Sequence, residues 1–475
     1  MKKYNPKILL INPLGTKNNG YYCPPLGLLY LAGMLLDNGF EVEIIDGAFN
    51  NWRKIKKKIK DYNPSIVGIS CFTATRNQAM RIAKMTKTIN KNILTVVGGM
   101  HATYLYEQIL SYYPFVDICV LGEGEKTLLE ISQGKDISQI NGIAYKDNGE
   151  IIKTEPRKII NDMDSLPMPA WHLIDLKEYM PGDIKIINGI KTTNAPQINI
   201  TFSRGCLGNC SFCSVWSVWG KFRHRSIKKI ADEIELLNKQ YNVNHFNFVD
   251  DALTINRQAI LGLCREINKR DLKIVFSSIT RADCVDEEVL LALKKAGCYI
   301  VFYGVESASP IILKKMNKHI SIDITKKAIV LTKKVGMKSF ALLIVGYFGE
   351  TIETFNQTID FLNEVQPERW GTRPGLIVYP GTVDYLRCKK LGFIDDSFWL
   401  NKKREVIYTG EYNMLKLIIF YIATLRKLKL SKWWILNYFK HLPYYIRRIV
   451  IVRYIPDSIR IIYHNFKVGI IGILK

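Results

Sequence analysis

Apolar residues in the first third of the chain fall into short β-branched runs: KILLIN (7–12), VEIID (42–46), SIVGIS (65–70), ILTVVGG (93–99) and VDICVLGEGE (116–125). Most end in Gly, Asp or Ser, and helix-length segments such as 26–39 and 77–89 lie between them. Runs that are apolar at nearly every position and alternate with helices predict a parallel sheet with helices on both faces. Such a sheet holds ligands at the carboxyl ends of its strands. The opening run follows basic residues but stops at Asn12-Pro13 without a small-residue cleavage site, so it reads as a first strand and not a secretory signal.

A loop-rich stretch with three prolines, 161–183, follows without a sustained period and reads as a linker. From about residue 195 a second alternation begins: QINITFS, HFNFVDD, KIVFSSIT, YIVFYGVES, FALLIVG and GLIVYPG (375–381), with helical segments at 226–239, 255–269, 286–296, 322–335 and 351–364. Six such units predict an incomplete (β/α) barrel with its functional groups at the strand C-termini. The expected division is a Rossmann-like domain at 1–155, a linker at 156–194, a partial (β/α)6 barrel at 195–400 and a C-terminal region at 401–475.

The first barrel strand runs into FSRGCLGNCSFCSVW (202–216), which sets Cys206, Cys210 and Cys213 in a C-x3-C-x2-C spacing. Thiolates are soft ligands that select zinc, Cu(I) or iron–sulfur clusters. Structural zinc takes four closed ligands, normally in two pairs, and no second pair is near. A cubane cluster normally takes four thiolates, so three leave one iron open to a ligand that is not protein. Cys23, Cys71, Cys119, Cys264, Cys284, Cys298 and Cys388 have no metal or disulfide spacing and read as small residues of a reducing cytosol.

This spacing, with Phe212 just before the last cysteine, resembles the radical S-adenosylmethionine superfamily. The resemblance implies a [4Fe-4S] cluster on Cys206, Cys210 and Cys213, whose open iron chelates S-adenosylmethionine and cleaves it to a 5′-deoxyadenosyl radical with one electron. A flavodoxin- or ferredoxin-type protein would be the external electron donor. It also implies S-adenosylmethionine contacts for Phe212, Asp250 at the end of FNFVDD, Ser278 and Arg281 in SSITRAD, and Glu306 in GVES. Gly346 in IVGYFGET would approach adenine, although Tyr347 and Phe348 replace the commoner Leu-Pro.

PPLGLLYLAGML (24–35), GGMHAT (98–103), LGEGEKTLLEI (121–131), the linker's LPMPAW and CSVWSVWGKFRHRS (213–226) resemble the cobalamin-dependent branch of that family, over roughly residues 5–400. The resemblance implies cobalamin binding by Gly27, Gly98, Gly99, Thr103, Gly122, Glu123 and Gly124. Glycine pairs after strands admit close backbone approach, which is permissive rather than diagnostic. No D-x-H-x-x-G is present, so cobalt coordination by histidine is not expected, and His101 reads as a capping or core residue. A sheet that keeps the fold without the corrinoid is the other reading. Trp216 and Trp219 are expected to be buried, and one of Lys221, Arg223 and Arg225 could meet a cofactor carboxylate or phosphate or lie in a solvated turn.

At 475 residues and 48% hydrophobic, the chain has material for two or three cores. Its formal net charge is +24, and residues 401–475 supply half of it with 15 Lys/Arg against 3 Asp/Glu. That tail interleaves cations with Trp433, Trp434, Tyr438, Phe439, Tyr444 and Tyr445, and its longest uncharged run, Leu417–Leu425, is too short to span a bilayer. It reads as a basic helical region, either interfacial on anionic lipid or a cap on the barrel. Recognisable RNA modules are absent, so nucleic acid is the weaker partner.

These features together point to a cytoplasmic enzyme, peripheral to the inner face of the membrane if the tail binds lipid. It would perform C-methylation or C–C bond or ring formation at an unactivated carbon of a hydrophobic small-molecule substrate, such as a lipid or isoprenoid. Two alternatives stand beside this: an RNA-modifying, methylthiotransferase-like enzyme with a second cluster on Cys23, Cys71 and Cys119, and a non-catalytic cobalamin and cluster sensor.

Overall fold

The computed structural model describes residues 6–13, 23–179, 186–192, 197–401, 405–408 and 449–452. The N-terminal sheet consists of β1 (Ile8–Asn12), β2 (Val42–Asp46), β3 (Ile66–Ser70), β4 (Leu94–Gly98), β5 (Ile118–Val120), β6 (Ile143–Asp147) and β7 (Glu150–Lys153), in the order β2-β1-β3-β4-β5-β6-β7. The first five are parallel, and β6 and β7 add an antiparallel hairpin at the β5 edge.

Alternate residues of β1 enter different cores. Ile8 and Leu10 pack under α1 (Leu26–Asp37) and α5 (Glu125–Ser132). Leu9 and Ile11 pack under α2 (Trp52–Tyr62), α3 (Arg76–Ile89) and α4 (Met100–Tyr112). A strand buried on both faces has no polar positions to alternate with, which is why these segments read as unbroken apolar runs. The strand order reverses between β1 and β3, and the crevice at such a switch point is where open α/β sheets bind ligands.

The linker is packed. Trp171, Leu176 and Tyr179 enter the core of the second domain, the N–H of Ala170 donates to the Leu29 carbonyl at 3.0 Å, and the Tyr179 hydroxyl donates to buried Asp46 at 2.6 Å. Within it lies a small hairpin, β8 (Ile186–Ile187) and β9 (Ile190–Lys191).

The second sheet has six parallel strands in sequential order: β10 (Ile198–Ile200), β13 (His245–Phe248), β14 (Val275–Thr280), β15 (Cys298–Glu306), β16 (Lys338–Val345) and β17 (Arg369–Pro374). Between β10 and β13 lie the short pair β11 (Ser203–Arg204) and β12 (Arg223–His224), with α6 (Val215–Trp219) between them. Helices α7 (Ile227–Tyr241), α8 (Arg257–Lys269), α9 (Glu287–Lys295), α11 (Ile322–Lys334) and α12 (Ile352–Val365) contribute to the core outside the strands. The short α10 (Pro310–Lys315) follows β15, and α13 (Val383–Lys390) follows β18 (Leu376–Val378).

The sixth barrel strand is therefore not GLIVYPG. Gly375 turns the chain at φ 87°, and β18 leaves the barrel for a three-stranded sheet with β19 (Glu405–Tyr408) and β20 (Ile449–Val452). Apart from Asn401, β19 and β20, the tail expected to be helical lies outside the described residues.

The barrel and linker share a buried ion pair. Arg225 and Glu233 are 2% and 0% exposed, and the Trp171 indole N–H donates to the same carboxylate at 3.1 Å. Removing one partner of such a pair leaves an uncompensated charge. Glu233→Leu is expected to cost about 3–5 kcal/mol in urea unfolding, and adding Arg225→Met should recover most of the loss. Additive losses in the double variant would contradict this coupling.

Candidate active site

A cavity of about 520 Å³ lies where the carboxyl ends of the N-terminal strands face the start of the barrel. Its floor is Asn12, Ser70, Gly98, Gly99 and Gly122, and its far wall is Thr201, Ser203, Arg204, Trp219, Val249 and Asp251. Gly27, Thr103, Glu123, Gly124 and Glu125 also line it. All seven residues that the corrinoid resemblance singled out thus share one cavity.

The backbone is bare there. Nothing lies within 4 Å of where a Cβ would stand on Gly27 or Gly122. Gly99 has φ 104° and a Cβ position 3.0 Å from the Cys71 carbonyl, so a side chain is excluded. Thr103 ties the floor together, its hydroxyl donating to the Gly99 carbonyl at 3.0 Å and accepting from the Gly122 N–H at 3.1 Å. In the wall, one carboxylate oxygen of buried Glu125 has no hydrogen-bond partner. A ligand bringing N–H donors would supply what it lacks. His101 is elsewhere, buried against Thr73 and Trp399, its pKa pushed down to about 3 by burial and the Arg76 charge.

The two domains are joined beside this cavity by buried charges. Arg204 meets Glu123 at 2.8 Å and Glu125 at 2.6 Å, and Arg223 meets the other oxygen of Glu123 at 3.0 Å. Burial alone would raise the Glu123 pKa, but the Ile160 N–H and both arginines outweigh it and hold it below the ordinary value. The Arg204 guanidinium sits between Trp219 (5.0 Å) and Tyr30 (5.4 Å). Arg223 and Arg225 thus meet protein carboxylates. Trp216 is 50% exposed, contrary to expectation, whereas Trp219 is half-buried in the cavity wall.

Arg204 leads directly into the cysteine loop, where Cys206, Cys210 and Cys213 are each half-buried. Burial raises the Cys210 thiol and pushes Cys213 up to about 11. Soft metal ions take such thiols as thiolates and release the proton. Among the described residues no three His, Cys, Asp or Glu side chains converge on a lone-ion site. The Gly208 N–H donates to Cys206 Sγ at 3.4 Å, and the Arg281 guanidinium packs against the loop at Gly208, 2.6 Å from where a Cβ would stand.

From outside, the loop is gripped at Ser211. Its N–H donates to the Met316 carbonyl, and its carbonyl accepts from the Asp384 N–H, both at 3.0 Å. The Tyr347 hydroxyl lies 2.5 Å from Ser211 Oγ and 2.9 Å from Asp384 Oδ2. This accounts for Tyr347 where Leu is commoner. Phe212, between the last two cysteines, packs against the cluster of apolar side chains that holds Tyr347 and Phe348.

The remaining candidates divide. The Glu306 side chain folds back over Gly304 at a strand bulge and pairs with buried Lys318 at 3.0 Å. Burial would lower the Lys318 pKa, but Glu306 and Cys210 outweigh it and raise it. Lys318 was not foreseen; its only sequence signal is its place just beyond α10. Arg281 stands by the cysteine loop with its guanidinium on Asp283 at 2.7 Å. Gly346 has φ 86°, and its N–H donates to Glu350.

Two of the expected contacts, Asp250 and Ser278, are buried and bonded to protein groups. Asp250 is turned inward, accepting from the N–H groups of Phe202 and Ser203 and from the Ser203 hydroxyl; Asp251 faces the cavity and accepts from the Gly205 N–H at 2.9 Å. Ser278 faces Cys298 Sγ at 3.7 Å, fully buried. It is Ser277 that shares a network with Gln197 and Asn247, each at 2.7 Å. Of the other cysteines, Cys71 and Cys119 are buried in the N-terminal core and Cys23 is exposed at the cavity rim, so these three do not form a set.

Comparison with known proteins follows the same division. A B12 binding domain model matches residues 14–132, and a Radical SAM superfamily model matches residues 200–362. An uncharacterized methyltransferase of Pyrococcus horikoshii is 33% identical over 366 residues, 76% of this chain and 77% of its own length. The anaerobic magnesium-protoporphyrin IX monomethyl ester cyclase of Rubrivivax gelatinosus is 35% identical over 73% of this chain and 63% of its own. The radical S-adenosylmethionine methyltransferase TsrM of Kitasatospora setae, solved with cobalamin and a [4Fe-4S] cluster, superposes with a TM-score of 0.68 at 20% identity, over 82% of this chain and 75% of its own.

Burial pushes both Asp250 and Glu350 up to about 7. Each is protonated more readily in the folded chain than in the unfolded one. The stability linked to them is therefore complete below the ordinary carboxylate range and lost as pH rises through about 7. The unfolding free energy from denaturant titration, and the midpoint with it, should fall between about pH 5 and about pH 8, the former by about 1–3 kcal/mol per group. Glu350→Gln should flatten part of that slope; a wild-type midpoint that rises over this range would contradict the assignment.

Proposed function

The chain belongs to the radical S-adenosylmethionine enzymes that carry a B12-binding domain, of methyltransferase or cyclase type, and from that premise we propose that it functionalises an unactivated carbon of a hydrophobic substrate held between the two domains. The observation that carries this reading is the single cavity joining the glycine floor of the first sheet to Arg204 and Asp251 beside the cysteine loop. When bound, S-adenosylmethionine on the cluster supplies a carbon radical, and cobalamin supplies a methyl group or an electron for the substrate.

The residues present fit these groups. Cys206, Cys210 and Cys213 would hold the cluster, with the Arg281 guanidinium packed against the loop at Gly208. Glu306, paired with Lys318, and Arg281 lie at the barrel strand ends beside the loop, where charged groups of the methionine moiety would be oriented. Asp251, in place of Asp250, is the carboxylate open to the cavity, whereas the hydroxyls of Ser277 and Ser278 are both buried among protein groups. Gly27, Gly99 and Gly122 would let a large flat corrinoid lie against backbone, and the free oxygen of Glu125 suits the amide N–H groups at its rim.

A hydrophobic substrate is supported by the apolar groups left open around the site. Phe72 is 51% exposed and Val249 40% exposed, and both line the cavity. Large apolar side chains held open in a concave site favour an apolar ligand. Closing them against substrate would also exclude water from the radical chemistry. The similarity to ester cyclases that act on a tetrapyrrole supports the same class. No helix among the described residues is long and apolar enough to cross a membrane, and tail contact with anionic lipid stays part of the proposal.

Anaerobic reconstitution should load about four irons per chain, lost in Cys210→Ala, and wild-type protein with a reductant should form 5′-deoxyadenosine from S-adenosylmethionine. Gly27→Leu, which fills the cavity, should weaken hydroxocobalamin binding by about tenfold or more while iron content and 5′-deoxyadenosine formation persist. Unchanged corrinoid affinity would remove the cavity as its site. Incubation with fractionated cell extract should give a new product in the lipid fraction; a product found only in the aqueous fraction would sink the hydrophobic assignment.

A further inference from the structure

The outer side of the cysteine loop is not bare. Ser211 lies between two of the cysteines and is bonded by its backbone to the end of α10 at Met316 and to the first turn of α13 at Asp384. Those two helices pack together through one apolar cluster, with Ile312 from α10, Met316 just past its end, and Tyr385 and Cys388 from α13. What they turn outward is distinctive. Ile311, Val383 and Leu386 are 59%, 61% and 63% exposed, and Leu207 of the loop itself is 64% exposed. Around these stand exposed Lys314, Lys315, Arg387 and Lys390. Of the carboxylates beside α13, Asp384 is buried on the Tyr347 hydroxyl, Asp396 is paired with Lys389 at 2.8 Å, and Asp395 is exposed, so the cations of the rim outnumber the free carboxylates.

We propose that this face of α10, α13 and Leu207 is the docking surface for an acidic one-electron carrier protein, which reduces the cluster through the loop that Ser211 anchors. The proposal rests on the cluster reading above. An apolar centre with a charged rim is the anatomy of a specific but short-lived protein contact, in which the rim steers encounter and the centre sets alignment. The rim is cationic, so the partner is acidic. A second copy of this chain, at net charge +24, would be repelled, and so would its own tail, which carries 15 Lys/Arg against 3 Asp/Glu.

The reaction needs nothing else from this surface. The carrier loses one electron, the oxidised cluster gains it, and no bond is made or broken.

The test compares two reductants on reconstituted full-length protein, following loss of the visible charge-transfer absorbance. With a reduced acidic flavodoxin at low salt, Lys314→Glu/Lys390→Glu should slow reduction by about tenfold or more, the scale of electrostatic steering. Added salt should slow wild type toward the variant. Reduction by dithionite should be unchanged in both proteins. Arg387→Glu, which also removes a guanidinium stacked 4.2 Å from the Phe348 ring, serves as a second variant. A flavodoxin rate that ignores the charge reversals overturns the proposal, as does an equal loss with both reductants. Absence of any reducible cluster would instead overturn the reading on which it rests, and iron content separates the two failures.

Discussion

The buried charge cluster of Arg204 and Arg223 with Glu123 and Glu125 is the constraint on which the rest of the site depends. Glu123 stands between Gly122 and Gly124 at the floor of the cavity, and Arg204 stands two residues before Cys206. One set of contacts therefore fixes the distance between the sheet that offers bare backbone and the loop that offers thiols. Buried ion pairs add little to stability compared with apolar packing of the same volume, but they are intolerant of misalignment, because a displaced partner leaves a charge unpaired in a low dielectric. That intolerance suits a joint between domains whose reactive groups must keep a fixed spacing.

The joint also explains how a cavity survives at a domain boundary. Trp219 and Tyr30 cover the faces of the Arg204 guanidinium, and the linker is pinned through Trp171, Ala170 and Tyr179 to elements of both domains. The strap at the chain's far side does the same. Arg76 donates to the carbonyls of Trp399 at 2.7 Å and Asn401 at 3.0 Å, holding residues after α13 against the first domain. With both sides tied, the space between the sheet ends and the barrel is framed by the protein's own contacts. Radical chemistry gains from that rigidity, since a preformed, water-poor chamber limits what a reactive carbon can meet.

Much of this was legible in the sequence where local rules act alone. The cysteine spacing, the strand-closing glycines and the β/α alternation are each set by neighbours within a few residues. Failures came where a choice depends on distant parts of the chain. Both faces of a barrel strand are enclosed, so nothing local says which of Asp250 and Asp251, or of Ser277 and Ser278, meets which neighbour. The strand RWGTRP was hidden because it has no apolar run; register with β16 makes it a strand, whereas the more apolar LIV beyond Gly375 belongs to another sheet. The partner of Arg223 was out of reach for the same reason: Glu123 is 100 residues away in sequence.

Tyr347 shows how a departure from family pattern can carry information. A leucine there would pack in the same apolar cluster, since Tyr347 is fully buried beside Phe348, Ile312 and Met316. The phenol adds a hydroxyl, and that hydroxyl joins Ser211, Asp384 and the Lys315 carbonyl in one network. Buried polar groups cost free energy unless all are satisfied, and here each has a partner. The arrangement ties the glycine-rich segment at Gly346, the cysteine loop at Ser211 and the helix α13 into one body. A shift of α13 would thus be felt between Cys210 and Cys213 with no intervening flexible segment. The position of the three thiols is set from the protein's outer surface as firmly as from the domain joint within.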